Sequence, residues 1–155
     1  MRRAFSMVEL VFVIVIIGIL AGIAIQKMSV TRDDATITKA RSQVASIRSA
    51  ITNEVQRRMM EGNYTPIQDI GGVINGYNKP IFDHFDSISS NPMVLEYPPY
   101  SCKNDKARGC WIRIDNNKYK YIAPAGVGGS VEFVIQNNRF DCVDSDNSLC
   151  RMLDR

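Results

Sequence analysis

Four cysteines carry the most legible chemistry in this chain. Cys102, Cys110, Cys142 and Cys150 form two C-x7-C pairs in its C-terminal third. Zinc sites usually present ligand pairs separated by roughly two to four residues, and this sequence has a single His. Disulfides are the favoured reading, and they imply an oxidising compartment such as the periplasm or the cell exterior. Four cysteines allow three pairings. The local bridges Cys102–Cys110 and Cys142–Cys150 are the simplest, each closing a loop that contributes about 2.5 kcal/mol in the chain-entropy model.

Other titratable groups offer less. His84 lies between Asp83 and Asp86, where a metal is conceivable but a solvated histidine on a short helix over "KPIFDHFDSIS" is the better reading. Asp141, Asp144 and Asp146 crowd the last cysteine loop; calcium takes clustered oxygens, but no full ligand set is present. "GVGGS" lacks the Lys-Ser/Thr and the helix of a phosphate loop. No nucleophile or acid–base constellation occurs, so no enzyme, metal or cofactor is expected. The net charge is +3, and without Arg2 and Arg3 the chain holds 17 basic and 16 acidic residues. That balance does not suggest a dedicated nucleic-acid binder.

The remaining chemistry is a single carboxylate. From Ala4 to Ile25 the chain has one charge, Glu9, among 22 residues. As a helix this run is about 33 Å long, enough to cross a hydrocarbon core of about 30 Å. A charge there costs about 2.5–3.5 kcal/mol, so a partner is expected. A cut between Ala4 and Phe5 would create an α-amino group about one turn before Glu9, on the same chain or on a neighbouring copy. A secretory signal peptide fits less well. The apolar run exceeds the usual ~7–15 residues and no small-x-small site follows it. Arg2 and Arg3 suit a cytoplasmic N-terminus.

"RRAFSMVELVFVIVIIGILAGIAI" resembles the class III signal and first half-helix of type IV pilins and pseudopilins. The resemblance covers about the first 25 residues. It implies removal of the leader at Ala4–Phe5 by a prepilin peptidase, N-methylation of Phe5 and a role for Glu9 in assembly. Two positions depart from the family pattern: Ala4 stands where Gly is usual, and Gln26 where Pro often follows. Some pseudopilins also bind calcium in a C-terminal loop, and a C-terminal cysteine loop is similar to the receptor-facing loop of type IV pilins. Gly18 and Gly22 form a G-x-x-x-G pair, which lets membrane helices approach closely.

These residues need elements to hold them. Ile37, Ala40, Val44, Ile47, Ile51, Val55 and Met59 recur at spacings of three and four, one apolar stripe, with Arg41, Arg48, Glu54 and Arg57 off it. No Pro interrupts Phe5 to Gly62, and Gly62 is a stop signal. One helix of about 55 residues, near 85 Å, is predicted. After an irregular stretch, "WIRIDNNKYKYI" and "VEFVIQNNRFDC" alternate around Asn116-Asn117 and Asn137-Asn138, residues that tolerate hairpin turns. "APAGVGGS" joins the two hairpins.

The expected fold class is α+β and pilin-like. A long N-terminal α-helix, membrane-spanning in its first half, packs its second half on a small antiparallel β-sheet of about four strands. The expected units are a prepilin leader (1–4), a transmembrane and assembly half-helix (5–27), an amphipathic half-helix (28–62), an irregular αβ-loop region (63–110), and the sheet with the C-terminal cysteine loop (111–155). The expected function is a pseudopilin or minor pilin of a type IV pilus-like filament, in type II secretion or DNA uptake. A major pilin of a surface fibre and a non-polymerising, membrane-anchored periplasmic binding module are the alternatives. The partners implied are other pilin or pseudopilin subunits, the prepilin peptidase, an inner-membrane assembly platform and the inner membrane itself. The chain would be single-pass with its head in the periplasm, and a filament would carry it further.

Overall fold

The computed structural model describes residues 6–154, and for 23–31 their place in the helix alone. The fold is α+β. Helix α1 (Met7–Met60) is followed by an irregular segment, then strands β1 (Cys110–Asp115), β2 (Lys118–Ile122), β3 (Ser130–Gln136) and β4 (Arg139–Cys142), and a short helix α2 (Ser148–Asp154).

Both ends of α1 are specified locally. Ser6 is the N-cap, and Gly62 closes the other end with φ 74°. The Gly62 amide donates to Met59 O at 3.1 Å and the Asn63 amide to Arg58 O at 2.8 Å. That pair of bonds is a Schellman motif, and its left-handed residue is cheapest as Gly. The predicted stop is therefore where the sequence places it.

Along α1 the side chains fall into two regimes. From Met7 to Leu20 the large apolar side chains are exposed on every face; Phe12 is 66% exposed. Met7 to Gly22 spans about 24 Å as a helix. Among the described residues no helix is long and apolar enough to cross a membrane. From Ile37 onward the predicted stripe is real: Ile37, Ala40, Val44, Ile47 and Ile51 are buried in the head's core. Its far end departs from expectation. Met59 is 54% exposed, whereas Glu54 and Arg58 are buried. The three-to-four spacing continues from Ile51 through Glu54 to Arg58, but ion-paired groups take over the last turns.

The sheet is antiparallel in the order β1-β2-β3-β4. Its inner face stacks aromatics across the strands. Trp111 pairs with Tyr121, and Tyr119 with Phe133. Ile135 pairs with Phe140. Trp111 Nε1 donates to Gln43 Oε1 at 3.0 Å, which ties the sheet to α1. Arg113 occupies the same inner row, buried, with its guanidinium 5.8 Å from the Tyr119 ring centroid.

The two Asn-Asn turns are built differently. Asn137 and Asn138 adopt φ 51° and 60°, the left-handed pair that a two-residue hairpin requires. Asn116 and Asn117 lie outside the left-handed region. A bulge between Arg113 and Asp115 reshapes that turn, and the Arg113 side chain donates to Asn116 O at 2.5 Å and Asp115 O at 3.2 Å.

The short helix expected over "KPIFDHFDSIS" does not form; the segment holds only a 3-10 turn at Phe85–Ser87. Phe82 has φ 59° and Asp86 φ 57°, both incompatible with an α-helix. The gain that offsets this strain is visible in the core. Phe82 is fully buried with its ring centroid 5.5 Å from Trp111 and 5.2 Å from Tyr119. The C-terminal loop contains an unexpected element, α2. Asn147 Oδ1 accepts from the Leu149 amide at 2.9 Å, and Leu149, Cys150 and Leu153 are buried.

Candidate functional site

Ala4 and Phe5, the expected cleavage and methylation residues, lie outside the described residues. Glu9 lies just inside them, in the first turn of α1. The Ser6 amide donates to Glu9 Oε2 at 2.9 Å, and the Glu9 amide donates to Ser6 Oγ at 3.2 Å. This reciprocal arrangement is a capping box. It satisfies two of the amides that a helix start leaves without a partner, and it sets a carboxylate at the positive end of the helix dipole. The Ser-x-x-Glu spacing is itself a helix-start signature, so this function of Glu9 was open to sequence reasoning. The expectation that Glu9 seeks an amine overlooks it.

Gly18 and Gly22 sit in the exposed stretch of α1 that ends at Gly22 among the described side chains. A Cβ built on either meets nothing within 4 Å. They mark a groove along the helix that the chain's own head leaves uncovered.

The cysteines are paired Cys102–Cys110 and Cys142–Cys150. The first bridge closes a loop that lies against α1: Gly109 has φ 68°, and a Cβ there would come within 2.7 Å of Thr36 Cγ2. The second joins the end of β4 to α2. Arg41 Nε donates to Met152 O at 2.8 Å, and Arg48 Nε to Phe140 O at 2.9 Å. Arg48 also pairs with Asp154 and, at 3.5 Å, with Asp141. Two of the three arginines placed off the apolar stripe, Arg41 and Arg48, thus fasten the C-terminal elements to the helix.

A second set of ions fastens the irregular segment. Arg58 pairs with Glu54 at 2.7 Å and with Asp86 at 2.5 Å. Arg57 pairs with Glu54 at 2.7 Å and with Glu61 at 2.6 Å. The hydrogen bonds from Arg57, and after them those from Arg58, hold the Glu54 carboxyl below its ordinary range against the opposing effect of burial. Further along, Arg113 pairs with Asp69 at 3.1 Å and donates to Ser87 Oγ at 2.7 Å. Tyr119 OH donates to Gly71 O at 3.0 Å and accepts from the Ile70 amide at 3.1 Å. Burial pushes the Tyr119 phenol well above its usual value.

His84 is half-buried, with Nδ1 3.0 Å from Asn91 O. This is a histidine tied to a loop rather than a solvated one. Asp141 is held by Arg48 and Arg139, and Asp144 Oδ1 accepts from the Asp146 amide at 3.2 Å. Among the described residues no group of His, Cys, Asp and Glu is arranged to hold a metal ion. What these side chains build is a head clamped to the distal half of a helix that is bare and apolar from Met7 to Leu20. No protein-family model, curated protein or solved structure matches this chain.

Proposed function

We propose that this protein is a structural, non-enzymatic subunit of a type IV pilus-like filament, a pseudopilin or minor pilin. The observation that carries the reading is the division of α1. Its second half is packed under the sheet, while Met7 to Leu20 display large apolar side chains on all faces with no cover from the chain. Such a surface is stable only in lipid or among other apolar helices. A pilin-like life cycle supplies both in turn. The segment is held in the inner membrane with the head in the periplasm, and is then bundled with neighbouring copies by an assembly platform. Spanning the bilayer requires the residues after Gly22 as well, so single-pass anchoring is part of the proposal. Secretion or DNA uptake is the expected setting.

A second reading, a membrane-anchored periplasmic module that never polymerises, gains support from the Ser6–Glu9 capping box. That box gives Glu9 a partner without a neighbouring subunit. Two measurements separate the readings. Intact mass and N-terminal sequencing of membrane-extracted protein should show loss of "MRRA" and a methylated Phe5, and a strain lacking the prepilin peptidase should retain the leader. Crosslinking between cysteines placed at Gly18 and Gly22 should then trap ladders of subunits. A processed chain that yields only monomers would favour the anchored module.

A further inference from the structure

The two hairpin turns and the segment leaving α1 enclose a cleft of about 420 Å³, within the size range of small-ligand sites. It lies at the end of the head where α1 stops: Asn138, which lines a neighbouring hollow with Arg58 and Met59, accepts from the Ile67 amide at 2.8 Å. The lining is unusual in composition. Five carboxamide residues line it, Gln68, Asn116, Asn117, Gln136 and Asn137. Gln68 Nε2 donates to Pro66 O at 3.1 Å and Asn117 Nδ2 to Ile135 O at 3.1 Å, which leaves Asn116, Gln136 and Asn137 with uncommitted side chains. Asp69 is the one charged lining residue, and Arg113 neutralises it at 3.1 Å. Of the apolar lining residues only Pro66 is exposed; Ile67 and Ile135 belong to the core behind the cleft.

Turn chemistry explains only part of this lining. Asn137 meets a left-handed backbone requirement, but Asn116 and Asn117 do not adopt that conformation. Asn117 Nδ2 donates to Ile135 O at 3.1 Å, while its own carbonyl accepts from the Ile135 amide at 2.9 Å. Those bonds, the Asn138–Ile67 bond and the grip of Arg113 on Asn116 O fix the walls in place. The cleft is therefore formed before any ligand arrives, which limits the ordering cost of binding.

The chemistry selects a ligand class. A carboxamide both donates and accepts, which matches adjacent hydroxyls, each also a donor and an acceptor. Without an unmatched cation the cleft has no hold on phosphate or carboxylate. The exposed Pro66 ring suits the C–H face of a sugar ring. An extended peptide would need an open strand edge for main-chain bonding, and this cleft is walled by turns and side chains. We propose that it is a binding site for a neutral oligosaccharide, with Asn116, Gln136 and Asn137 reading ring hydroxyls. The proposed filament function bears on it only through orientation, since the cleft faces away from the N-terminal half-helix. Binding is measured on the single subunit, so failure to polymerise would leave it untouched.

The test is a titration of the full chain, labelled with nitrogen-15, in micelles of a sugar-free zwitterionic detergent. The probes are maltohexaose, chitotetraose and acetyl-tetraalanine amide. The expected result is saturable shifts in the side-chain amide signals of Asn116 and Asn137 with at least one sugar. Gln136→Glu, which keeps shape but loses the donor, should bind about tenfold more weakly, as for one lost hydrogen bond. Lys103→Ala, remote from the cleft, should bind as the wild type does. The backbone spectrum of each variant reports whether it is folded. The proposal is overturned if neither sugar gives saturable shifts, if Gln136→Glu binds undiminished, or if the peptide binds as tightly as the better sugar.

Discussion

Glu9 Oε2 accepts a hydrogen bond from the backbone amide of Ser6 at 2.9 Å, one turn before it. A neutral amide side chain can fill the same position, because the capping box accepts Gln as well as Glu. The local and the intermolecular functions of Glu9 are therefore separable by chemistry. A charged partner on a neighbouring subunit needs the carboxylate, whereas the cap needs only its oxygen.

Glu9→Gln should keep the helix start and lose assembly, if the charge matters between subunits. Glu9→Val should lose both, with insertion into the membrane unchanged or improved. Ser6→Ala should weaken the helix end by about 1 kcal/mol while leaving assembly near the wild-type level. Helix-end protection is read by amide exchange and assembly by crosslinked oligomers. Equal oligomer yields from Glu9→Gln and wild type would reduce Glu9 to a cap.

The buried ions at the other end of α1 make a prediction in acid. Arg58→Met leaves Asp86 without its partner, while Arg57 still compensates Glu54; the loss should be about 2–3 kcal/mol, below that of a pair left wholly unmatched. The folded carboxyl of Glu54 titrates below its ordinary value of 4.5. Its contribution is thus complete above that value and is lost as pH falls through the lower, folded pKa. Melting temperature plotted against pH should drop in that acid window. Glu54→Gln should flatten the drop, and an unchanged slope in that variant would refute the linkage.

Alkali should act through the tyrosines. Burial raises Tyr119, and pushes Tyr121 up to about 12 from 10.0. Both raised phenols favour the folded state fully below the unfolded value, and that contribution disappears as pH climbs towards the folded ones. In a background with the exposed Tyr64, Tyr77, Tyr97 and Tyr100 replaced by Phe, unfolding followed by phenolate absorbance should begin above pH 10 or so and coincide with loss of the near-ultraviolet signal of Trp111. In Tyr121→Phe the midpoint should move to higher pH. Phenolate absorbance rising well before the fold is lost would contradict burial as the cause.

The parts of this fold that can be read from sequence are those that local chemistry dictates. The stripe from Ile37 to Ile51 sets the buried face of α1, Gly62 ends it, and Asn137-Asn138 makes a turn that only left-handed residues can make. What escapes is decided by tertiary contacts. Phe82 and Asp86 take left-handed conformations because an aromatic cluster and Arg58 reward them, and nothing in "KPIFDHFDSIS" announces either partner. Glu54 and Arg58 are buried for the same reason. Two features were readable in principle: the Ser6-x-x-Glu9 box, and α2, signalled by Asn147 before the Leu149 and Leu153 spacing. The amide cleft was not, since Gln68, Asn116 and Asn137 meet only when the sheet folds.

Gly109→Ala tests how closely the first disulfide loop is seated on α1. The new methyl would need φ near +68° and would press on Thr36 Cγ2 at 2.7 Å. Left-handed strain and overpacking together should cost about 2–4 kcal/mol. Thr36→Ala relieves only the contact, so in that background the same change should cost about 1 kcal/mol less. Chemical denaturation of the four members of this cycle measures the coupling. Additive losses would mean that loop and helix are not in contact as described.

The second disulfide should govern α2 more than the whole head. Cys142 and Cys150 are joined across a sequence separation of 8, and α2 is also held by Arg41 on Met152 O and Arg48 on Asp154. Replacing both cysteines by Ser should cost about 2.5 kcal/mol from the lost loop constraint, with faster amide exchange concentrated at Leu149 to Leu153. Arg48→Met alone should cost less, because the bridge still anchors α2 while Leu149 and Leu153 stay buried. The triple change should fall short of the sum: once α2 has detached, Arg48 has lost its Asp154 partner and only its bond to Phe140 O and its pair with Asp141 remain to lose. Exchange mass spectrometry and denaturation of the three variants distinguish the cases. A strictly additive triple variant, or exchange that rises evenly over the sheet, would show that α2 is not an independently anchored unit and that the bridge supports the head as a whole.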